Sequence, residues 1–369
     1  NESRPATRGQ AAMSRVATSE SLELGLKGDL AQVDVAVFRQ NFEVKDGDLV
    51  ASAQEGTYDS AKETLKLRSP AGAKRPKATS GEMDVTAAEI DANMKADDFV
   101  AVGRVDSFLT PASTSRSKST GGLFEAGKQI TGTSERLTYR RDAGTVVYEG
   151  AVFLVQGDSS LRGDRVDIDD AKSDLVAKGN VISKLAMDMG GAPPDAKDAK
   201  GAKPQKPSEI SAAQLVYTDA ARTAVYTGGA RLDTPTGESL QGDQVTLTLE
   251  PGDRKLKTAV AVAPAGGQVV IRLNEQRQAQ GARATYTAST DAFHVRGSLA
   301  AFIVPAPERG PGECNVVSGS DLDFNRTASE AEVRTEKTPF GTPASSASLP
   351  IAWAESGVSD AGRTTKPQP

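Results

Sequence analysis

The sequence has few of the residues on which catalysis and metal binding depend. It contains one cysteine, one histidine and one tryptophan in 369 residues, and aromatic residues make up 5%. A single cysteine, Cys314, excludes an intramolecular disulfide and a thiolate metal cluster. The single histidine, His294, excludes a site of several imidazoles, and any Ser/His/Asp arrangement would have to use it. We therefore expect no enzyme activity, no metal and no cofactor.

Concentrated charge and long hydrophobic runs are also missing. The 44 basic and 49 acidic residues are interspersed and leave a net charge of −5. Because phosphate binding needs a concentrated basic face, we expect no nucleic-acid partner. The longest weakly polar stretch, residues 258–271, is interrupted by Pro264 and Gly266 and is too short to span a bilayer. The chain begins at Asn1, which leaves open a signal peptide or an anchor ahead of it.

Glycine and proline are abundant, at 35 and 19 residues, and with 37% hydrophobic residues they favour many short strands over helical packing. Segments rich in Gly, Pro, Ala, Ser and charge cannot bury enough apolar surface to offset the entropy of ordering. On this ground we predict disorder at residues 1–19, 187–208 and 327–369. Residues 110–122, rich in Ser, Thr and Gly, are predicted to form a long loop.

The remaining sequence contains an internal repeat. Residues 137–154 (LTYRRDAGTVVYEGAVFL) align without a gap with residues 215–232 (LVYTDAARTAVYTGGARL), an offset of 78 positions. LRGDRVDI at residues 161–168 matches LQGDQVTL at residues 240–247. We expect units of about 78 residues with four strands each, and Asp164 and Asp243 of the shared LxGDxV pattern to share a structural task such as bonding the backbone of a bend.

Within each unit, apolar residues recur at every second position, which is typical of antiparallel strands with one buried face. His294 and the charged residues Lys178, Arg231 and Arg296 occupy the alternate positions and are predicted to face solvent. Two sheets would then face each other as a flattened, partly open roll. Many inward residues, such as Ala177 and Ala230, are too small to fill a gap of roughly 10 Å between sheets. Either the sheets close together or another molecule occupies the space.

The repeated tyrosines, the LxGDxV pattern and the bend at Gly179-Asn180-Val181 resemble the OstA-like domain of lipopolysaccharide export, as in LptA and the N-terminal part of LptD. The resemblance covers residues 127–326 except the insertion at 187–208. Residues 42–59 (FEVKDGDLVASAQEGTYD) resemble LptC. The chain departs from the pattern where Gly-Asn is replaced, for example by Gly150-Ala151.

The resemblance implies an all-β fold of antiparallel β-jellyroll (β-taco) repeats with an apolar interior groove, disordered tails and one disordered insertion. It implies an LptC-like part at residues 20–126, a first OstA-like repeat at 127–186 and a second OstA-like part at 209–326. The groove residues are the inward-facing ones: Phe99, Val105, Tyr139, Tyr148, Val152, Leu154, Val166, Ile168, Leu175, Val181, Tyr217, Tyr226, Leu232, Val245, Leu247, Phe293 and Val295.

The same resemblance implies a non-catalytic periplasmic bridge component, with an inner-membrane anchor upstream of Asn1. Its expected partners are the lipid A acyl chains of lipopolysaccharide, other Lpt-type jellyrolls joined through sheet edges, and an inner-membrane ABC transporter. Two alternatives remain open. A parallel β-helix enzyme or adhesin would explain the repeat, although its coils usually return after 20–30 residues, and a structural envelope scaffold would share the fold without carrying lipid.

Overall fold

The computed structural model describes residues 2–4, 13–27, 33–110, 123–124, 128–186, 207–251, 255–273, 277–306, 313–326 and 332–334. None of these segments forms a helix of the length and apolarity that a membrane span requires. They form strands joined by turns, and the strands are β1 (Glu2–Arg4), β2 (Met13–Thr18), β3 (Ser21–Leu26), β4 (Val33–Asp46), β5 (Leu49–Asp59), β6 (Thr64–Arg68), β7 (Lys77–Ser80), β8 (Met83–Thr86), β9 (Glu89–Asn93), β10 (Asp98–Leu109), β11 (Ile130–Arg140), β12 (Thr145–Gln156), β13 (Ser159–Asp169), β14 (Asp174–Leu185), β15 (Ser208–Thr218), β16 (Thr223–Asp233), β17 (Ser239–Leu249), β18 (Leu256–Val262), β19 (Val269–Arg272), β20 (Gln278–Gly281), β21 (Arg283–Thr287), β22 (Ala292–Pro305), β23 (Cys314–Asn325) and β24 (Glu332–Arg334).

All pairings among these strands are antiparallel, and from β10 to β18 each strand pairs with the next one in the sequence. The strands bury alternate residues. The buried side chains include Val146, Tyr148, Val152 and Leu154 in β12, and Ala224, Tyr226, Ala230 and Leu232 in β16. The predicted all-β, antiparallel fold is therefore confirmed. The parallel β-helix alternative is wrong, because its strands would pair in parallel.

The long strands bend in the middle, where the pairing register shifts. At each bend of β10, β12, β14 and β16 two successive residues have positive φ, as in Gly179 (φ 73) and Asn180 (φ 49). The neighbouring strand approaches closely there: a Cβ on Gly179 would lie 2.7 Å from Cγ of Asp164. Asp164 also accepts a hydrogen bond from Asn180 Nδ2 at 3.0 Å. Asp164 of the LxGDxV pattern thus bonds a side chain of the neighbouring bend rather than its backbone. That Asp164 and Asp243 share one structural task stays a prediction.

The bends fold one continuous meander into two facing sheets. Each bent strand contributes one half to each sheet. Sheet I contains the complete strands β3, β6, β9, β18, β21 and β24, together with the first half of β4, the second half of β5, the first half of β22 and the second half of β23. It also contains the halves of β10–β17 that include residues 98–102, 136–140, 145–149, 165–169, 174–178, 214–218, 223–227 and 244–249. Sheet II contains β1, β2, the other halves of the bent strands, β7, β8, β19 and β20. This is the predicted β-taco arrangement, with a single apolar core cluster between the sheets.

Several strands lie where the composition predicts disorder. Glu2–Arg4 (β1) pair with β2, Arg15–Thr18 of β2 pair with β4, Ser208 begins β15, and Glu332–Arg334 (β24) pair with β23. In these segments the prediction of disorder is wrong, because main-chain pairing with a preformed edge supplies hydrogen bonds that do not depend on hydrophobic side chains. Residues 1, 5–12, 187–206, 327–331 and 335–369 of the segments predicted to be disordered, and residues 111–122 of the predicted loop, lie outside the described residues.

Candidate functional site

The interior between the two sheets is the candidate site, and it contains the residues that alternation assigns to it. All the predicted groove residues except Tyr139 are buried and belong to the core cluster, and Tyr139 is half-buried against it. Tyr148, Leu154, Val166, Tyr226 and Val295 have no exposed surface. The prediction that these side chains point inward is thus consistent with their burial along the whole meander, from Phe99 in β10 to Val295 in β22.

Two tyrosines cross the interior at equivalent positions of the repeat. Tyr148 projects from sheet I, and its hydroxyl lies 3.1 Å from the hydroxyl of Ser107 in sheet II. Ser107 also donates to the carbonyl of Gly132 at 3.2 Å, and a Cβ on Gly132 would lie 3.0 Å from the Tyr148 ring. The absence of a side chain at Gly132 therefore makes room for the ring. Burial raises the pKa of Tyr148 to about 12, although the Ser107 hydrogen bond lowers it.

The second tyrosine, Tyr226, faces Ser183 in the same way. Burial raises the pKa of Tyr226, and nearby Ser183 lowers it. The two hydroxyls nevertheless do not reach hydrogen-bond geometry, and both are buried without a partner. The two copies of the repeat therefore differ in one interior hydrogen bond. Neither Ser107 nor Ser183 is among the residues that the sequence predicts for the interior, although both follow a repeated Gly-containing bend at the same distance.

The interior is a packed core in this structure. Side chains from both sheets fill it, and the small inward residues are fully covered: Ala101, Ala177 and Ala230 have no exposed surface. One cavity between the sheets, lined by Leu232, Leu240, Ala259 and Phe293 among others, measures about 30 Å³. That volume holds a few water molecules at most. Of the two outcomes that the small residues allow, the sheets have closed together.

The outward faces carry ion pairs. His294 lies on the outer face as predicted, but it is enclosed by charge: its Nδ1 is 2.6 Å from Asp323 Oδ1, and its Nε2 accepts from Arg296 Nε at 2.7 Å. Arg231, next to the inward Leu232, pairs with Asp233 at 2.7 Å. Among the residues that the structure describes, no group of three or more His, Cys, Asp or Glu side chains has the geometry of a metal site.

Turns from the two sheets meet along the long side opposite the bends, and arginines connect them there. Arg15 of sheet II donates to the Tyr58 hydroxyl of sheet I at 3.1 Å. Arg141, in the turn after β11, forms an ion pair with Asp48 in the turn after β4. The sequence does not predict a role for either arginine, since residue 15 lies in a segment predicted to be disordered and residue 141 in a polar turn.

Comparisons with known proteins find similarity over part of the chain. A crystal structure of LptH, the LptA-homologous periplasmic component of the lipopolysaccharide transport device of Pseudomonas aeruginosa, is 13% identical; the alignment covers 52% of this chain and 91% of that one, with a TM-score of 0.22. A search of curated proteins finds no match. Residues 129–206 match the family model described as LptA/(LptD N-terminal domain) LPS transport protein. This match confirms the resemblance to the LptA family that the repeat predicts.

Proposed function

We propose that this protein is a non-catalytic, periplasmic component of lipopolysaccharide transport, and that it carries acyl chains between its two sheets. The observation that carries the proposal is the family match at residues 129–206, on the same strands whose apolar faces form the interior. The core cluster continues on both sides of this segment, from Phe42 in β4 to Phe324 in β23. The apolar interior is therefore continuous along the stacked strands, and in this proposal acyl chains pass through it when the sheets separate.

The physical need for such a path comes from the hydrophobic effect. Each methylene of an acyl chain gains about 0.8 kcal/mol on leaving water, so a chain of about twelve carbons gains on the order of 10 kcal/mol. Release into an aqueous compartment is therefore very slow. Neighbouring units that bury the chain equally would let it move without being hydrated, and this movement needs no catalytic residue in the protein. The energy that gives it direction, from inner to outer membrane, comes from an inner-membrane ABC transporter in this proposal.

The edges of the two sheets provide the surfaces for assembly. β3 ends sheet I among the described strands, and its inward side carries Leu22, Leu24 and Leu26, each about half exposed. Unpaired strand edges readily pair with another sheet. In this proposal the N-terminal edge faces an inner-membrane partner and the C-terminal edge of β23 and β24 faces another Lpt-type jellyroll.

A structural scaffold with the same fold is the second candidate, favoured by the packed interior. Native mass spectrometry of the full chain purified from envelopes separates the two. A carrier should retain an acylated lipid, the Leu232→Glu variant should lose it because an unpaired charge in the interior is costly, and Arg231→Glu should keep it. Circular dichroism checks that both variants are folded. A wild-type protein free of lipid under conditions that preserve other lipid complexes would favour the scaffold.

A further inference from the structure

The two long sides of the folded meander are held together in different ways. On one side the bends connect the sheets covalently, since each bent strand passes from one sheet to the other. On the opposite side, which we call the seam, only turns and strand ends meet. A chain that enters the packed interior must separate the sheets somewhere. Separation at the seam leaves the main-chain ladders within each sheet intact. Separation at the bends would distort the backbone of every bent strand, namely β4, β5, β10–β17, β22 and β23.

Three arginines bridge the seam, and each is arranged in the same way. Arg15 is paired with Asp46 of its own sheet at 2.6 Å and reaches Tyr58 of the other sheet. Arg141 is paired with Asp97 of its own sheet at 2.8 Å and reaches Asp48 across the seam. One carboxylate thus fixes each guanidinium to its own sheet while a second partner lies on the facing sheet.

The third bridge lies beside the cavity between the sheets. Arg326 is 3.2 Å from Asp291 of sheet I and 3.9 Å from Glu238, which lies in the turn before β17 on sheet II. Arg326 and Glu238 both line the cavity together with Leu232 and Phe293. Hydroxyl groups of Thr234 and Thr236 donate to Glu238, so this carboxylate is held in place for the bridge.

We propose that the seam is the lateral opening of the interior and that Arg15, Arg141 and Arg326 are its latches. The inference rests on the proposed function, because an opening is needed only if acyl chains enter. Arginine suits a latch that opens repeatedly. Its forked donors make a partly exposed ion pair geometrically specific, but the pair contributes little free energy, so it favours the closed seam and can still break at small cost. The arginines are spaced along the chain, near its start, middle and end, so the seam is fastened along its length.

The first test locks the seam. In a Cys314→Ser background, which removes the only cysteine, cysteines replace Asp48 and Arg141 and are joined by bis-maleimides of graded length. The control joins cysteines at Glu149 and Arg165, an ion pair on the outer face of sheet I. Uptake of cis-parinaric acid, whose fluorescence rises in apolar surroundings, is followed by stopped flow. We expect loss of uptake in the seam-locked protein and unchanged uptake in the control.

The second test removes the latches. Arg141→Gln and Arg326→Gln should each speed uptake by about two- to five-fold, the range expected for one partly exposed ion pair, while Arg165→Gln should not change it. Unchanged uptake by the seam-locked protein would mean that chains enter at the ends of the stack and would overturn the inference while leaving the proposed function intact. Absence of uptake by the unlocked protein would overturn the proposed function itself. Equal rates in the latch variants and Arg165→Gln would show that the arginines are not latches.

Discussion

The two interior tyrosines allow a stability prediction with an internal control. Tyr148→Phe removes the hydroxyl that pairs with Ser107 at 3.1 Å. Ser107 keeps its hydrogen bond to the Gly132 carbonyl, so the change does not leave it without a partner. A neutral hydrogen bond contributes about 0.5–1.5 kcal/mol net, and we expect Tyr148→Phe to lower the free energy of unfolding by about 1 kcal/mol.

Tyr226→Phe is the matched control, because the same hydroxyl is removed from the equivalent position of the next repeat. The Tyr226 hydroxyl is fully buried and has no hydrogen-bond partner. Removing an unsatisfied buried polar group relieves a desolvation penalty, so the change should be neutral or stabilising by up to about 1 kcal/mol. Both rings stay in place, so packing is the same in the two variants.

Urea unfolding followed by far-UV circular dichroism measures both variants, provided that the slope with denaturant is unchanged. The midpoint should fall for Tyr148→Phe and stay or rise for Tyr226→Phe. Equal losses in the two variants would refute the reasoning, since they would show that both hydroxyls are hydrogen-bonded or that neither is. A larger loss for Tyr226→Phe would reverse the assignment of the bonded pair.

Two further predictions concern pH and the bends. Burial raises the pKa of Tyr148 to about 12. The contribution of this tyrosine to stability is therefore fully present below the unfolded pKa near 10 and is lost as the pH rises from 10 towards 12, by up to about 2.7 kcal/mol. Urea midpoints measured at pH 8, 10 and 11 should fall less steeply in Tyr148→Phe than in the wild-type protein, and parallel declines would contradict the burial of this group. Gly179 and Gly229 have nearly equal φ, +73 and +74, but only at Gly179 would a Cβ meet another residue, Asp164. Gly229→Ala should therefore cost about 1 kcal/mol and Gly179→Ala about 2–3 kcal/mol in thermal unfolding, and equal costs would show that the Asp164 contact is unimportant.

The alternation in the sequence predicts the burial of most inward side chains, because burial in a strand follows the local period of two. Phe99 and Val295, nearly two hundred residues apart, were assigned by the same rule and are both buried. The bends can also be predicted, since Gly179 recurs 76 positions after Gly103 and Gly228 recurs 78 positions after Gly150, and all four glycines have positive φ. Alternation and backbone conformation are both determined by residues close together in the chain, so a single sequence is enough to predict them.

The seam could not be predicted in the same way. Arg141 contacts Asp48 across 93 residues of sequence, because turns of sheet II meet turns of sheet I that belong to strands further along the meander. Which turn of sheet I lies opposite a given turn of sheet II depends on how the two sheets are placed over each other, and no local period of the sequence encodes that placement. Closure of the interior was also left undecided by the sequence, since small residues such as Ala177 are compatible with closed sheets and with a filled groove.

Photo-crosslinking at two adjacent positions tests the central claim that acyl chains occupy the interior. Leu232 is 3% exposed and lines the cavity between the sheets, whereas Arg231 points outward and pairs with Asp233. A photoreactive residue at 232 should capture lipopolysaccharide or another acylated lipid in cells, and the same residue at 231 should not. The two positions share their strand and their neighbours in sequence, so the difference isolates the face of the sheet. Equal capture at both positions, or capture from 231 alone, would mean that the interior is an ordinary closed core and that the protein does not carry lipid there.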